Sequence, residues 1–99
     1  MSKRNLLTTE TVRSELETLK DWDSNGKVLS RDYLFKDFAE AFSFLTYVAL
    51  VAEKLDHHPE IWNVYNRVTL KLSTHDTIPA GGGLTLLDVE FAKKIQTFE

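Results

Sequence analysis

The longest apolar pattern in the chain begins after Lys36, where Phe38, Ala41, Phe42, Leu45, Val48, Ala49, Ala52 and Leu55 follow at spacings of three and four. One face of an α-helix presents residues at that interval, so the pattern predicts a central helix of about five turns with this stripe buried. Lys36, Asp37, Glu40, Ser43, Thr46 and Lys54 fall on the opposite face. Tyr47, Leu50 and Val51 widen the apolar surface, as a helix that also meets another subunit would require. Pro59 disfavours helical geometry at His58, so the helix stops near Asp56.

On either side of this helix the period drops to two. Leu29, Tyr33 and Phe35 share one face with the stem of Arg31 and leave Val28, Ser30, Asp32 and Leu34 on the other, predicting a strand from about Lys27 to Phe35. Asn25-Gly26 ahead of it is a two-residue hairpin signal, because both residues tolerate positive φ, and Trp22 opens the partner strand. After the helix, Val64, Asn66, Val68, Leu70 and Leu72 alternate with Tyr65, Arg67, Thr69 and Lys71, either as one long strand or as a hairpin turning at Asn66-Arg67.

Thr8 or Thr9 ahead of Val12, Leu16 and Leu19 predicts a first helix from about Thr9 to Lys20. Thr85 with Asp88 three residues on forms a capping box for a last helix whose inner face is Val89, Ala92 and Ile95. Thr77–Gly83, TIPAGGG, reads as a loop that its glycines make mobile. The order helix, hairpin, long helix, one or two strands, helix predicts an α+β two-layer sandwich. Its antiparallel sheet has about four strands, with three helices packed on one face.

The chain of 99 residues is expected to form a single domain, residues 1–99, and its 42% hydrophobic content supplies a core without covalent staples. Absence of cysteine removes disulfides, thiol catalysis and thiolate metal sites. A net charge of −3, with 12 scattered Lys and Arg, predicts no direct nucleic-acid binding. The start MSKRNLLTTE lacks the apolar region of a signal peptide, and no run approaches a membrane span, so a soluble cytoplasmic protein is expected.

All three histidines, His57, His58 and His75, lie between Glu53 and Asp76. Imidazole titrates nearest neutrality, so this cluster can both give and take protons. Adjacent His57 and His58 do not suit a single metal ion, and the helical zinc spacing is absent, so no metal is expected. No Gly-x-Ser-x-Gly turn offers a serine nucleophile. Acid–base chemistry without a cofactor remains. The plainer reading is that the His pair caps a helix, that Glu53 and Asp56 end that helix beside Lys54, and that Asp88 is an N-terminal cap and not a catalyst. Trp22 would be core or pocket wall.

Glu53-Lys54-Leu55-Asp56-His57-His58-Pro59, Trp62-Asn63-Val64-Tyr65-Asn66, Leu72-Ser73-Thr74-His75 and Leu84-Thr85 with Asp88 closely resemble pterin-4a-carbinolamine dehydratases. The likeness includes Phe35-Lys36-Asp37-Phe38 and Ala41-Phe42 and runs from Trp22 to Ile95. It implies dehydration of 4a-hydroxytetrahydrobiopterin to quinonoid dihydrobiopterin in tetrahydrobiopterin recycling. It also implies that His57 and His75 form the catalytic pair, with His57 the preferred base and His75 the acid, and that His58 holds the pterin. Glu53 and Asp56 would orient the histidines or the ring, and backbone groups of Asp56-His57-His58 and Ser73-Thr74-His75 would line the pocket. The same resemblance implies a homotetramer or homodimer. It carries a second reading, in which the protein is a non-enzymatic dimerization cofactor for a transcription factor, with nuclear entry, or an assembly factor. Two departures stand out: Thr77–Gly83 is longer and richer in glycine than in familiar members, and Ile61-Trp62 replaces an aromatic pair.

Overall fold

In the computed structural model, which describes residues 2–97, the expected layers are present. The elements are α1 (Thr9–Leu16), β1 (Asp23–Ser24), β2 (Leu29–Leu34), α2 (Phe38–Leu55), β3 (Glu60–Val64), β4 (Arg67–Leu72) and α3 (Leu86–Gln96). The strands form one antiparallel sheet in the order β1-β2-β4-β3. Leu29 faces Leu72, Arg31 faces Leu70 and Tyr33 faces Val68 across β2 and β4, so the alternation seen in the sequence turns one continuous apolar face toward the helices. Arg31 is buried on that face with its guanidinium 4.3 Å from the Tyr33 ring centroid.

Both hairpins differ from the expected turns. Asp23 pairs with Ser30 and Ser24 with Leu29, which leaves a loop from Asn25 to Val28 where a two-residue turn was expected. The Asn25 side chain explains the longer loop: its Oδ1 accepts the backbone N–H groups of both Lys27 and Val28, and the Ser24 hydroxyl oxygen accepts that of Gly26. In the second hairpin Val64 pairs with Arg67, so the chain reverses at Tyr65-Asn66, one residue earlier than the expected Asn66-Arg67. Tyr65 takes a left-handed φ of 52°, Asn66 donates from its side chain to the Phe35 carbonyl, and Val64 is left exposed, outside the buried alternation.

The first helix is shorter than its pattern. It stops at Leu16, and the chain continues through turns closed by Thr18 N–H to Glu15 and Leu19 N–H to Leu16. Leu19 and Trp22, on this more tightly wound continuation, are buried in the core.

The central helix is where expected but rotated about its axis. Its buried residues are Ala41, Phe44, Leu45, Val48, Val51 and Ala52. Phe38, Phe42 and Ala49, assigned to the inner stripe, face outward, and Val51, assigned to the flank, is inside. Two apolar stripes of helical period run side by side on this helix, and Phe44 decides between them. Its ring lies 4.5 Å from Tyr33 and 5.2 Å from Phe35, a three-ring contact available in one rotation only. Asp37 caps the helix, accepting from Glu40 N–H, while the Glu40 carboxylate accepts from Lys36 N–H. No helix among the described residues is long and apolar enough to cross a membrane.

Candidate active site

The central helix ends where Asp56 adopts a left-handed conformation, φ 51° and ψ 45°, and the His57 N–H donates to the Ala52 carbonyl at 3.1 Å. That reversal sends successive side chains in different directions. His57 turns inward and is buried, while His58 stays exposed and pairs with Glu53 on the last helical turn, Nε2 to Oε2 2.8 Å. With both partners largely exposed, this pair contributes at most about 1 kcal/mol of stability, and its effect is to aim the His58 ring.

His75 follows β4 on the segment Ser73–Asp76. Backbone hydrogen bonds run both ways between Thr74 and Gly83, at 2.8 and 2.9 Å, and hold that segment against the glycine loop. The loop is fixed at several points: Leu6 N–H donates to Ile78, Ile78 N–H to Arg4, and Gly82 N–H to the Thr77 hydroxyl, itself buried. Its glycines therefore serve shape. Gly82, at φ +82°, leaves only 3.3 Å between a Cβ and the Thr74 carbonyl.

His57 Nε2 lies 2.7 Å from Asp88 Oδ1, and Asp88 is fully buried at the start of α3. The second carboxylate oxygen accepts from the Thr74 hydroxyl at 2.8 Å and from the Thr85 backbone N–H at 3.0 Å. Each hydroxyl has one proton, which orders the chain of bonds. Thr74 donates its proton to Asp88, so at the 2.8 Å contact between the two threonines Thr85 donates to Thr74, and the Thr85 oxygen accepts from Leu87 N–H. The Thr74 hydroxyl and the Thr85 N–H both donate to Asp88. An ionised Asp88 can only accept, which puts a proton on His57 Nε2, and in a neutral ring Nδ1 then carries the lone pair.

One cavity of about 250 Å³ gathers Asp56, His57 and His58 with Ser73, Thr74, His75 and Asp76, and Arg4 and Leu87 complete its lining. This is near the lower end of small-ligand pockets, roughly 300 Å³. Of the residues singled out from sequence, all three histidines, Asp56, Ser73 and Thr74 line it, and Glu53 stands behind His58. Trp22 belongs to the core. Asp88 does more than the expected cap: it completes the capping box and also backs His57. Its position three residues after Thr85 revealed the cap, but only the fold brings it to a histidine thirty-one positions away. Arg4 carried no signal at all. Larger hollows of about 400 and 500 Å³ lie along the open face of the sheet near Trp62 and Thr69 and have no histidine in their walls, which leaves the smaller cavity as the candidate site. Among the described residues, no three His, Asp or Glu side chains converge as a metal-holding group.

A family model for pterin 4 alpha carbinolamine dehydratase matches residues 5–98. A protein of Sulfurisphaera tokodaii named "Putative pterin-4-alpha-carbinolamine dehydratase" is 45% identical over 89 residues, covering 90% of this chain and 91% of that one. A Bradyrhizobium protein (strain BTAi1) of the same name is 52% identical over 89 residues, covering 88% and 86%. The crystal structure of a transcriptional coactivator/pterin dehydratase from Brucella melitensis superposes with a TM-score of 0.85 at 42% identity, covering 94% of this chain and 97% of that one.

Proposed function

Because the chain belongs to the pterin 4a-carbinolamine dehydratase family, we propose that it dehydrates 4a-hydroxytetrahydrobiopterin to quinonoid dihydrobiopterin and water, acting as one domain in tetrahydrobiopterin recycling. The observation that carries this reading is the gathering of three histidines around one cavity, with His57 backed by a buried carboxylate.

The reaction removes a proton from N5 and a hydroxide from C4a. His57, with Nε2 committed to Asp88, takes the N5 proton at Nδ1; the N–H electron pair becomes the C4a=N5 double bond as the C4a–O bond breaks. His75 protonates the departing hydroxyl, which leaves as water, and its exposure lets it regain a proton from solvent. His58, aimed by Glu53, holds the ring, and Asp56, Ser73 and Thr74 offer backbone groups at its edge. The chemistry is complete with protein acid and base alone.

Self-association is proposed through the outward apolar stripe of α2, where Phe38 and Phe42 pair at 5.3 Å beside Ala49 and Leu50. The same stripe, with the coactivator description of the Brucella relative, supports the second reading, a dimerization cofactor for a transcription factor. The test is to supply freshly generated 4a-carbinolamine and follow quinonoid dihydropterin by absorbance. A rate above the spontaneous one is expected; equality with it would end the enzymatic reading.

A further inference from the structure

We propose that Arg4 is a substrate-binding residue of the histidine cavity, its guanidinium donating to an acceptor oxygen of the bound pterin. The inference rests on the dehydratase reading. Arg4 lines the same cavity as His57, His58 and His75, although it comes from the opposite end of the chain. Its backbone is fixed on both sides: its N–H donates to the Ser2 hydroxyl, its carbonyl accepts from Ile78 N–H, and the next two N–H groups donate to Ser2 and Ile78 carbonyls. The neighbouring bridge of Asn5 to Ile78 ties the segment to the loop that follows His75.

The head group, in contrast, is uncommitted. Its ionic contact among the described residues is Asp76 at 3.9 Å, too long for a hydrogen bond, and the two side chains are 57% and 89% exposed. Such a pair contributes little to stability. A well-anchored backbone presenting an unspent five-donor fork to a cavity of acid–base residues is the arrangement that binds an acceptor oxygen. Two oxygens of a pterin qualify, the ring carbonyl and a hydroxyl of the C6 side chain.

The experiment measures binding of 7,8-dihydrobiopterin and of 6,7-dimethyl-7,8-dihydropterin, which lacks the hydroxylated side chain, to wild-type protein and to Arg4→Ala, Arg4→Lys and Lys3→Ala. Arg4→Ala should weaken binding by about tenfold or more, and in turnover should raise KM while leaving kcat within about threefold. Arg4→Lys should recover part of the loss. Lys3→Ala, which removes a neighbouring cation that pairs with Glu90 and does not line the cavity, should bind as wild type. Loss with both pterins assigns the contact to the ring; loss with dihydrobiopterin alone assigns it to the side chain. Unchanged affinity in Arg4→Ala, or an equal loss in Lys3→Ala, would overturn the inference for Arg4 alone. Wild-type protein that binds neither pterin would overturn the dehydratase reading and this inference with it.

Discussion

Replacing Asp88 by Asn keeps the side chain's shape and removes the feature that fixes the His57 proton. The amide has one acceptor oxygen and one NH₂ where the carboxylate had two acceptors, so two orientations compete. With its oxygen toward His57, the NH₂ faces the Thr85 N–H, leaving donor against donor in a fully buried site at a cost of about 1–3 kcal/mol. With its oxygen toward Thr74 and Thr85, both of those bonds survive and the NH₂ faces His57 Nε2. The second orientation wins. His57 must then accept at Nε2 and carry its proton on Nδ1, the nitrogen proposed to receive the substrate proton. Loss of a general base lowers kcat by about 10²–10⁴-fold, roughly 3–5 kcal/mol of barrier.

Thr74→Val supplies the comparison. It removes one donor to Asp88 and leaves the His57 contact, so it should lower the melting temperature while kcat falls by less than about tenfold. Steady-state kinetics and thermal unfolding of both variants decide the matter. A folded Asp88→Asn protein with kcat within threefold of wild type would show that the carboxylate does not set the tautomer that the mechanism uses.

Other expectations follow from the same geometry. His57→Ala and His75→Ala should each lower kcat by about a hundredfold or more, whereas His58→Ala should chiefly raise KM; equal small losses in all three would contradict the assigned roles. Phe44→Ala empties the centre of the ring cluster and should cost about 3–5 kcal/mol in denaturant unfolding, and a loss below 1 kcal/mol would mean that α2 packs in another rotation. Phe42→Asp, on the 53% exposed ring, should leave the helical signal intact and reduce the sedimentation coefficient. Wild type and variant sedimenting together would remove the α2 stripe as an interface.

The parts of the fold that were legible are those where one physical signal acts without a competitor. On β2, Leu29, Arg31 and Tyr33 alternate with polar residues, and a period of two has one meaning. Thr85 and Asp88 announce a helix start through local hydrogen bonds alone. Where two solutions satisfied the same signal, a particular side-chain contact made the choice. The two apolar stripes of α2 differ by a rotation that Tyr33 and Phe35 settle, and the Asn25 turn lengthened because its side chain found two backbone donors.

The candidate site divides along the same line. The histidines were visible as residue types crowded into one stretch. Asp88 was visible only as a cap, because its contact with His57 joins elements that sequence order keeps apart. Arg4 lies in a segment with no periodicity, and nothing short of the folded chain brings it beside His75.

The stitching of Asn5, Leu6 and Leu7 to Ile78 and Leu84 also has a temporal side. During synthesis the leading segment leaves the ribosome long before the loop it bonds to, and its amides stay with water until Ile78 and Leu84 have emerged. The chamber that gathers the histidines can thus close only after all four strands have been made.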